Sequence, residues 1–254
     1  MQSTETVDYN LVRDESMAHR QSRQDNKVAE CSEDTFWWRK GASDEIQIVE
    51  LPAKPFYTAA KRSIDIVLSA LLLILSLPLF LAIAVAIKST SRGPVLFKQK
   101  RIGKGGKEFI IYKFRTMVAD AEQQLSKRAD LQMLFDANFK IKDDPRVTTV
   151  GAFLRRTSLD ETPQFINVLK GDISLVGPRA IVRAEVCRYG DKIGKVLAVP
   201  AGLSGLWQVR GRTDTTYAER VEMDLEYVDN RSISLDLKLI VETALSVLRC
   251  RGAY

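Results

Sequence analysis

The chain has a single histidine, His19, and none in the 235 residues that follow it. That scarcity removes Ser-His-Asp and Cys-His hydrolases, HExxH metalloenzymes and most histidine-based acid–base schemes. Chemistry is left to Asp, Glu, Lys, Arg, Tyr or backbone groups. Cysteine is equally sparse. Cys31, Cys187 and Cys250 lie far apart with no CxxC pair, which argues against a disulfide framework or a zinc site and fits a reducing compartment. The glycine cluster Gly103-Lys104-Gly105-Gly106 is not a Walker A loop, because no Gly-Lys-Ser/Thr follows it. There is no basic-then-apolar pattern of a cleavable signal peptide and no internal repeat. A basic helix with base-reading side chains is also missing, so nucleic acid is not an expected partner.

Charge is present but uneven. Residues 1–60 hold 7 basic and 11 acidic residues, so they carry −4, while the rest holds 31 basic and 21 acidic residues, or +10. A basic body suits an anionic partner such as phosphate groups or acidic lipid. A merely solvated basic surface is the plainer alternative. Residues 1–57 are expected to form a disordered polar tail, too poor in apolar residues to offset ordering entropy. Phe36-Trp37-Trp38-Arg39-Lys40 stands out within it as an interfacial anchor or a sticky loop patch.

The long apolar run is residues 63–87, where Asp65 is the only charge between Arg62 and Lys88. It is long enough for a helix to span a bilayer core. Pro78 lies mid-run, where it removes a backbone hydrogen bond and bends a helix. Both flanks are basic, which tends to hold both ends in the cytoplasm. A kinked helix over 58–92 that enters the membrane and returns satisfies both features. A simple span and a buried soluble helix are the alternatives.

Beyond it, short strand-like and helical pieces alternate: strands at 94–97 and 109–112 around the glycine turn, and helices at 117–135, 160–169, 180–189, 216–229 and 234–249. The last has an apolar face and a basic end, as an interfacial helix would. The stretch Arg155-Arg156-Thr157-Ser158-Leu159-Asp160-Glu161 places two carboxylates behind two arginines. Ser158-x-x-Glu161 fits a capping box, and capping is the first explanation of the pair. The other is a carboxylate nucleophile, which splits one displacement into two. Arg179 follows a tight Gly177-Pro178 turn that aims it; Arg115 sits in Lys113-Phe114-Arg115. Guanidinium groups grip phosphate bidentately, although each arginine taken singly is as readily a surface charge.

Several stretches together resemble the bacterial sugar transferases, the monotopic polyprenol-phosphate phosphoglycosyl transferases. They include the prolyl apolar segment, Gly93-Pro94-Val95-Leu96-Phe97, Tyr112-Lys113-Phe114-Arg115-Thr116-Met117, Asp144-Pro145-Arg146-Val147-Thr148, Leu154-Arg155-Arg156-Thr157-Ser158-Leu159-Asp160-Glu161, Gly171 through Arg179, and Gly202 through Arg212. The resemblance covers roughly residues 58–254, and the ending is similar to the exopolysaccharide-initiating subgroup. It implies an α+β monotopic membrane protein: a re-entrant helix, amphipathic interfacial helices and a small mixed α/β cytoplasmic domain over 93–254. It further implies transfer of a sugar 1-phosphate from a UDP-sugar to undecaprenyl phosphate at the cytoplasmic face of the bacterial inner membrane, releasing UMP. Asp160 would be the nucleophile and Glu161 the Mg²⁺ ligand. Substrate would be bound by Arg155, Arg179, Lys113, Arg115, Arg146, Gln208 and Arg212. Two positions depart from the family pattern: Leu77 precedes Pro78 where serine is usual, and Ala180 follows Arg179 where proline is usual. A catalytically inactive, membrane-tethered scaffold binding anionic lipid is the competing function. The sugar and any homo-oligomeric state stay open.

Overall fold

The computed structural model describes residues 46–138, 141, 143–210 and 215–248. The Trp37-Trp38 patch and Arg212 lie outside these. Pro55–Thr90 forms one 36-residue helix, α1. Pro55 occupies its first turn, where a missing N–H costs nothing, and Lys88 its last, where a cation meets the unpaired carbonyls. The helix runs through Pro78 without interruption. Leu71, Leu72, Ile74, Leu75, Leu77, Leu79 and Leu81 all face outward from its middle. Among the described residues α1 is the one helix long and apolar enough to cross a membrane.

Both ends of α1 are fastened to the same body. Near its start, Lys61 Nζ donates to Val176 O and to Asp236 Oδ2, each at 2.8 Å. Arg62 donates to Val168 O and Leu169 O at 2.6 and 2.7 Å. Asp65 Oδ1 accepts from Ser174 Oγ and Leu175 N, both at 3.0 Å. Near its end, Ile83 and Ile87 are buried with Phe114 and Leu154, and Phe80 meets Phe114 edge-on at 5.0 Å. Ahead of α1, residues 46–54 also pack on this body: Val49 N donates to Gly194 O at 3.2 Å, Arg231 Nη2 to Pro52 O at 3.1 Å, and Leu51 joins the core. Ile46 and Leu51 supply the apolar contacts that the composition of the wider stretch concealed.

Two antiparallel strands follow, β1 (Leu96–Ile102) and β2 (Glu108–Phe114), in register from Leu96 opposite Phe114 to Ile102 opposite Glu108. The ladder carries each strand beyond its most apolar residues. The single helix expected over 117–135 is two, α2 (Ala121–Lys127) and α3 (Ala129–Asn138), divided at the extended Arg128. Next comes α4 (Thr149–Arg156), which sequence periodicity did not mark; Thr148 Oγ1 caps it by accepting from Gly151 N at 2.9 Å. A 3-10 turn over Leu159–Gln164 leads into α5 (Phe165–Lys170). Strand β3 (Ser174–Val176) pairs parallel with β4 (Gly202–Ser204) across a connection holding α6 (Val186–Tyr189) and α7 (Ile193–Val196). The chain then forms α8 (Leu206–Arg210), α9 (Tyr217–Asn230) and α10 (Ile233–Leu248).

Val168, Val176, Leu206, Tyr227, Val228 and Leu239 build the main core from α5, β3, α8, α9 and α10. On α10, Leu237, Val241 and Leu245 recur every four residues and stay exposed, the apolar stripe expected of an interfacial helix.

Candidate active site

Asp160 and Glu161 lie in the 3-10 turn between α4 and α5, not in the first turn of an α-helix. Ser158 has φ 56°, in the left-handed region, and its side chain makes no cap. The capping box expected from Ser158-x-x-Glu161 therefore does not form. The Glu161 carboxylate goes elsewhere: Oε1 accepts from Lys113 Nζ at 2.5 Å. Lys113 is held there by its strand. Asn167, fully buried on α5, accepts from Tyr112 N at 3.1 Å and donates to Ile110 O at 2.7 Å. One amide side chain thus clips the helix after the dyad to the backbone beside Lys113.

The two carboxyls are driven apart electrostatically. Burial and the neighbouring Glu161 charge push the Asp160 carboxyl up to about 6, with Lys113 and Arg155 opposing. Burial would also raise Glu161, but Lys113 and then Arg179 hold it below its ordinary value. Two interacting carboxyls titrate as a pair, so at neutral pH both are ionised while the second proton is released only near pH 6. Such separation is characteristic of functional sites.

Arg155 and Arg179 bear on the dyad electrostatically, Arg155 on Asp160 and Arg179 on Glu161. Arg155, at the end of α4, donates from Nε to Thr116 Oγ1 at 3.0 Å; its charge is felt by Asp160. Arg179 follows Gly177-Pro178, whose backbone is locked: Gly177 N donates to Ser204 O at 2.8 Å and Gly202 N to Pro178 O at 2.7 Å. A Cβ on Gly202 would lie 2.1 Å from Gly177 N, so only glycine permits this approach. Arg101 Nη1 adds a 2.9 Å bond to the Ala180 carbonyl. These bonds fix the turn without the second proline that the family pattern carries after the arginine.

Other expected site residues are placed differently. Arg115 is buried, and its guanidinium binds Ser91 O and Ser91 Oγ at 2.9 Å and the Arg92 carbonyl. It ties the end of α1 to β2 through Nη1 and Nη2, while its Nε is buried without a hydrogen-bond partner. Arg146 is buried in a bidentate pair with Asp144, at 2.8 and 2.6 Å. Both members act on Arg155 electrostatically, so the pair stands behind Arg155. Gln208 Oε1 is buried without a hydrogen-bond partner. Sequence reasoning missed Arg101 and Arg220. Arg101 is buried, and its guanidinium is lowered to about 10 by burial and by Arg179; strand residues carry no sign in the sequence of what they will face.

A cavity of about 560 Å³ lies between residues 48–54 and α1, lined by Tyr57, Lys61, Arg62, Asp65 and Arg231 among others, with no dyad residue on its walls. Its charged groups are spent on the α1 attachments above. Among the described residues no three His, Cys, Asp or Glu side chains gather to hold a metal, so an all-protein cage is not on offer. Mg²⁺ asks for less, one or two carboxylates completed by phosphate oxygens. Glu161, held ionised and with 35% of its side chain exposed, fits that requirement, and the like-charge pressure on Asp160 is what a divalent cation relieves.

A carboxylate pair among guanidinium groups thus lies on a small α/β body bound to both ends of a long apolar helix. The chain belongs to the bacterial sugar transferase family, whose model matches residues 56–250. It is 44% identical over 202 residues to the undecaprenyl-phosphate galactose phosphotransferase of Salmonella typhimurium, covering 76% of this chain and 41% of that protein. It is 40% identical over 205 residues to the exopolysaccharide production protein ExoY of Rhizobium meliloti, covering 79% and 91%. It is 40% identical to the UDP-glucose:undecaprenyl-phosphate glucose-1-phosphate transferase of Escherichia coli, covering 82% and 44%. The chain thus spans less than half of two of these relatives and nearly all of the third.

Proposed function

We propose that this chain transfers a hexose 1-phosphate, of galactose or glucose, from a UDP-sugar to undecaprenyl phosphate with release of UMP, as the first membrane step of exopolysaccharide synthesis. The observation that carries the proposal is the dyad: a partly buried aspartate, ionised at neutral pH, beside a glutamate and between Lys113, Arg155 and Arg179. The relatives' names supply the substrates.

The steps are two in-line displacements. An Asp160 oxygen attacks the β-phosphorus of the UDP-sugar; the bond from that phosphorus to the bridging oxygen breaks, and UMP leaves with the electron pair. A phosphate oxygen of undecaprenyl phosphate then attacks the same phosphorus and Asp160 leaves as carboxylate. Arg155 and Arg179 hold phosphate oxygens through both steps, the kind of fixed positive charge on which phosphoryl transfer depends. Lys113 keeps Glu161 ionised. Mg²⁺ held by Glu161 would neutralise pyrophosphate charge.

The re-entrant topology belongs to the same proposal. Its support is that the Lys61–Asp65 and Ile83–Ile87 ends of α1 both attach to one body, while the apolar residues between them are exposed. A body held at both ends of a membrane segment lies on one side of the bilayer, here the cytoplasmic face of the inner membrane, where a soluble nucleotide and a lipid phosphate both reach the dyad. The test is intact-protein mass spectrometry after incubation with a panel of UDP-sugars. The expected result is a mass gain of one hexose phosphate with a UDP-hexose, absent in Asp160→Asn. Release of UMP at the parental rate by Asp160→Asn would defeat the mechanism. A lipid-binding scaffold predicts no adduct and indifference to Asp160, Glu161 and Mg²⁺.

A further inference from the structure

Two guanidinium groups share one indole, and one of them, Arg179, also acts on Glu161 of the dyad. Arg179 lies 5.6 Å from the centre of the Trp207 ring, and Arg220 lies 4.8 Å from it. Trp207 is on α8. Arg220 is in the first turns of α9, which begins there because Thr216 and Glu219 form a capping box, with Thr216 N donating to Glu219 Oε2 at 2.8 Å. Arg220 Nε is buried and has no hydrogen-bond partner. Among the described residues no carboxylate stands within ion-pair distance of either guanidinium; Glu185, whose charge reaches Arg220, pairs with Arg101 at 3.6 Å and accepts from the Val182 N–H at 2.8 Å. One helical turn after Arg220, Asp224 is buried and accepts from Tyr189 Oη at 2.9 Å.

Bringing two like charges to one ring is unfavourable unless something anionic joins them. The indole face offsets part of that cost and holds the planar forks in place, but leaves their donors unspent. A phosphate presents several oxygens to such forks. We propose that Arg220 and Arg179, mounted on Trp207, form a second anion subsite that takes the α-phosphate of the nucleoside diphosphate donor and holds it as the leaving nucleoside monophosphate. This rests on the donor being a UDP-sugar, as proposed above. Arg179 is shared between this subsite and the dyad, since its charge also reaches Glu161. The geometry therefore sets the β-phosphorus at Asp160 and the α-phosphate next along, toward Trp207. When the bond from the β-phosphorus to the bridging oxygen breaks, the electron pair stays with the α-phosphate, where Arg220 meets the added charge. Burial raises the Asp224 carboxyl to about 7 against the Tyr189 hydroxyl and the backbone and charge of Arg179, so it is only partly ionised at neutral pH, and burial together with Arg179 lowers the Arg220 guanidinium.

The experiment compares binding of UMP and of uridine to the full chain in detergent or nanodiscs, followed calorimetrically. The wild type is expected to bind UMP more tightly than uridine. Arg220→Gln is expected to lose ten- to a hundredfold in UMP affinity with uridine unchanged, and Arg220→Lys to fall between. A second measurement needs no variant: phenylglyoxal modification of Arg220, read by peptide mass, is expected to slow with UMP and not with uridine. Equal UMP affinity in wild type and a folded Arg220→Gln, or Arg220 modified at one rate with and without UMP, overturns the subsite. Covalent adduct formation with UDP-sugars is measured separately on the same preparations. Its absence in the wild type would count against the proposed transferase, whereas UMP binding that ignores Arg220 counts against the subsite alone.

Discussion

The titration of Asp160 links the geometry of the dyad to a measurable quantity. Its carboxyl is raised from 3.8 to about 6, a change of about two units, or roughly 3 kcal/mol at most against the charged form. The sign follows directly. A carboxyl raised on folding keeps its proton in the folded state while the unfolded chain releases it. Between about pH 4 and pH 6 the folded protein therefore binds more protons, and stability falls as pH rises across that window. The nucleophile has the opposite requirement, because only the carboxylate attacks. At pH 5 about one-tenth of the protein would hold Asp160 ionised, at pH 7 about nine-tenths. Removing the Lys113 ammonium by Lys113→Met takes away a charge that favours ionisation, so the transition should move up by roughly one unit. The assay is infrared difference spectroscopy of ¹³C-aspartate-labelled protein without divalent cation, with Asp160→Asn subtracted to isolate one carboxyl band. Adding Mg²⁺ should lower the transition. A wild-type band titrating near pH 4, or a transition that moves down in Lys113→Met, would refute the electrostatic account.

Three further outcomes are expected. Lys61→Met leaves Asp236 charged and buried, which costs about 3–5 kcal/mol and should lower the thermal midpoint by roughly 10 °C; an unchanged midpoint would show that this attachment of α1 carries little. Gly202→Ala places a methyl group 2.1 Å from Gly177 N, so the turn bearing Arg179 must shift, and sugar-phosphate adduct formation should slow at least tenfold where the variant folds. Arg115→Met should destabilise the chain by about 2 kcal/mol through its lost carbonyl partners while leaving the KM for UDP-sugar within about twofold; a large rise in KM would return Arg115 to the substrate site.

Legibility in the sequence divided along physical lines. The apolar run of α1, the glycine turn between β1 and β2 and the helices α9 and α10 could be read because period, turn chemistry and length are local properties. The joining of β3 to β4 could not, because strands of three residues carry no periodicity, and their pairing is fixed by the close contact of Gly177 with Gly202. Residues 46–54 were hidden by a polar average that conceals Ile46 and Leu51. Among the arginines, charge alone did not distinguish those serving structure from those left available. Arg115 and Arg146 find carbonyls and Asp144, whereas Arg155 and Arg179 remain beside the dyad.

The sequence by itself determined the chemical vocabulary: histidine-free beyond His19, carboxylate-based, basic around an apolar anchor, with Asp160 and Glu161 adjacent in the chain and so necessarily adjacent in space. What those carboxylates do was decided by tertiary structure. Ser158 adopts a left-handed backbone, the cap is never made, and Glu161 turns to Lys113, which reaches it from a strand 48 positions earlier. Burial by the surrounding fold then raises one carboxyl, and lysine and arginine brought from distant segments lower the other. A pKa depends on distance and solvent access, and neither is a property of residues read in order.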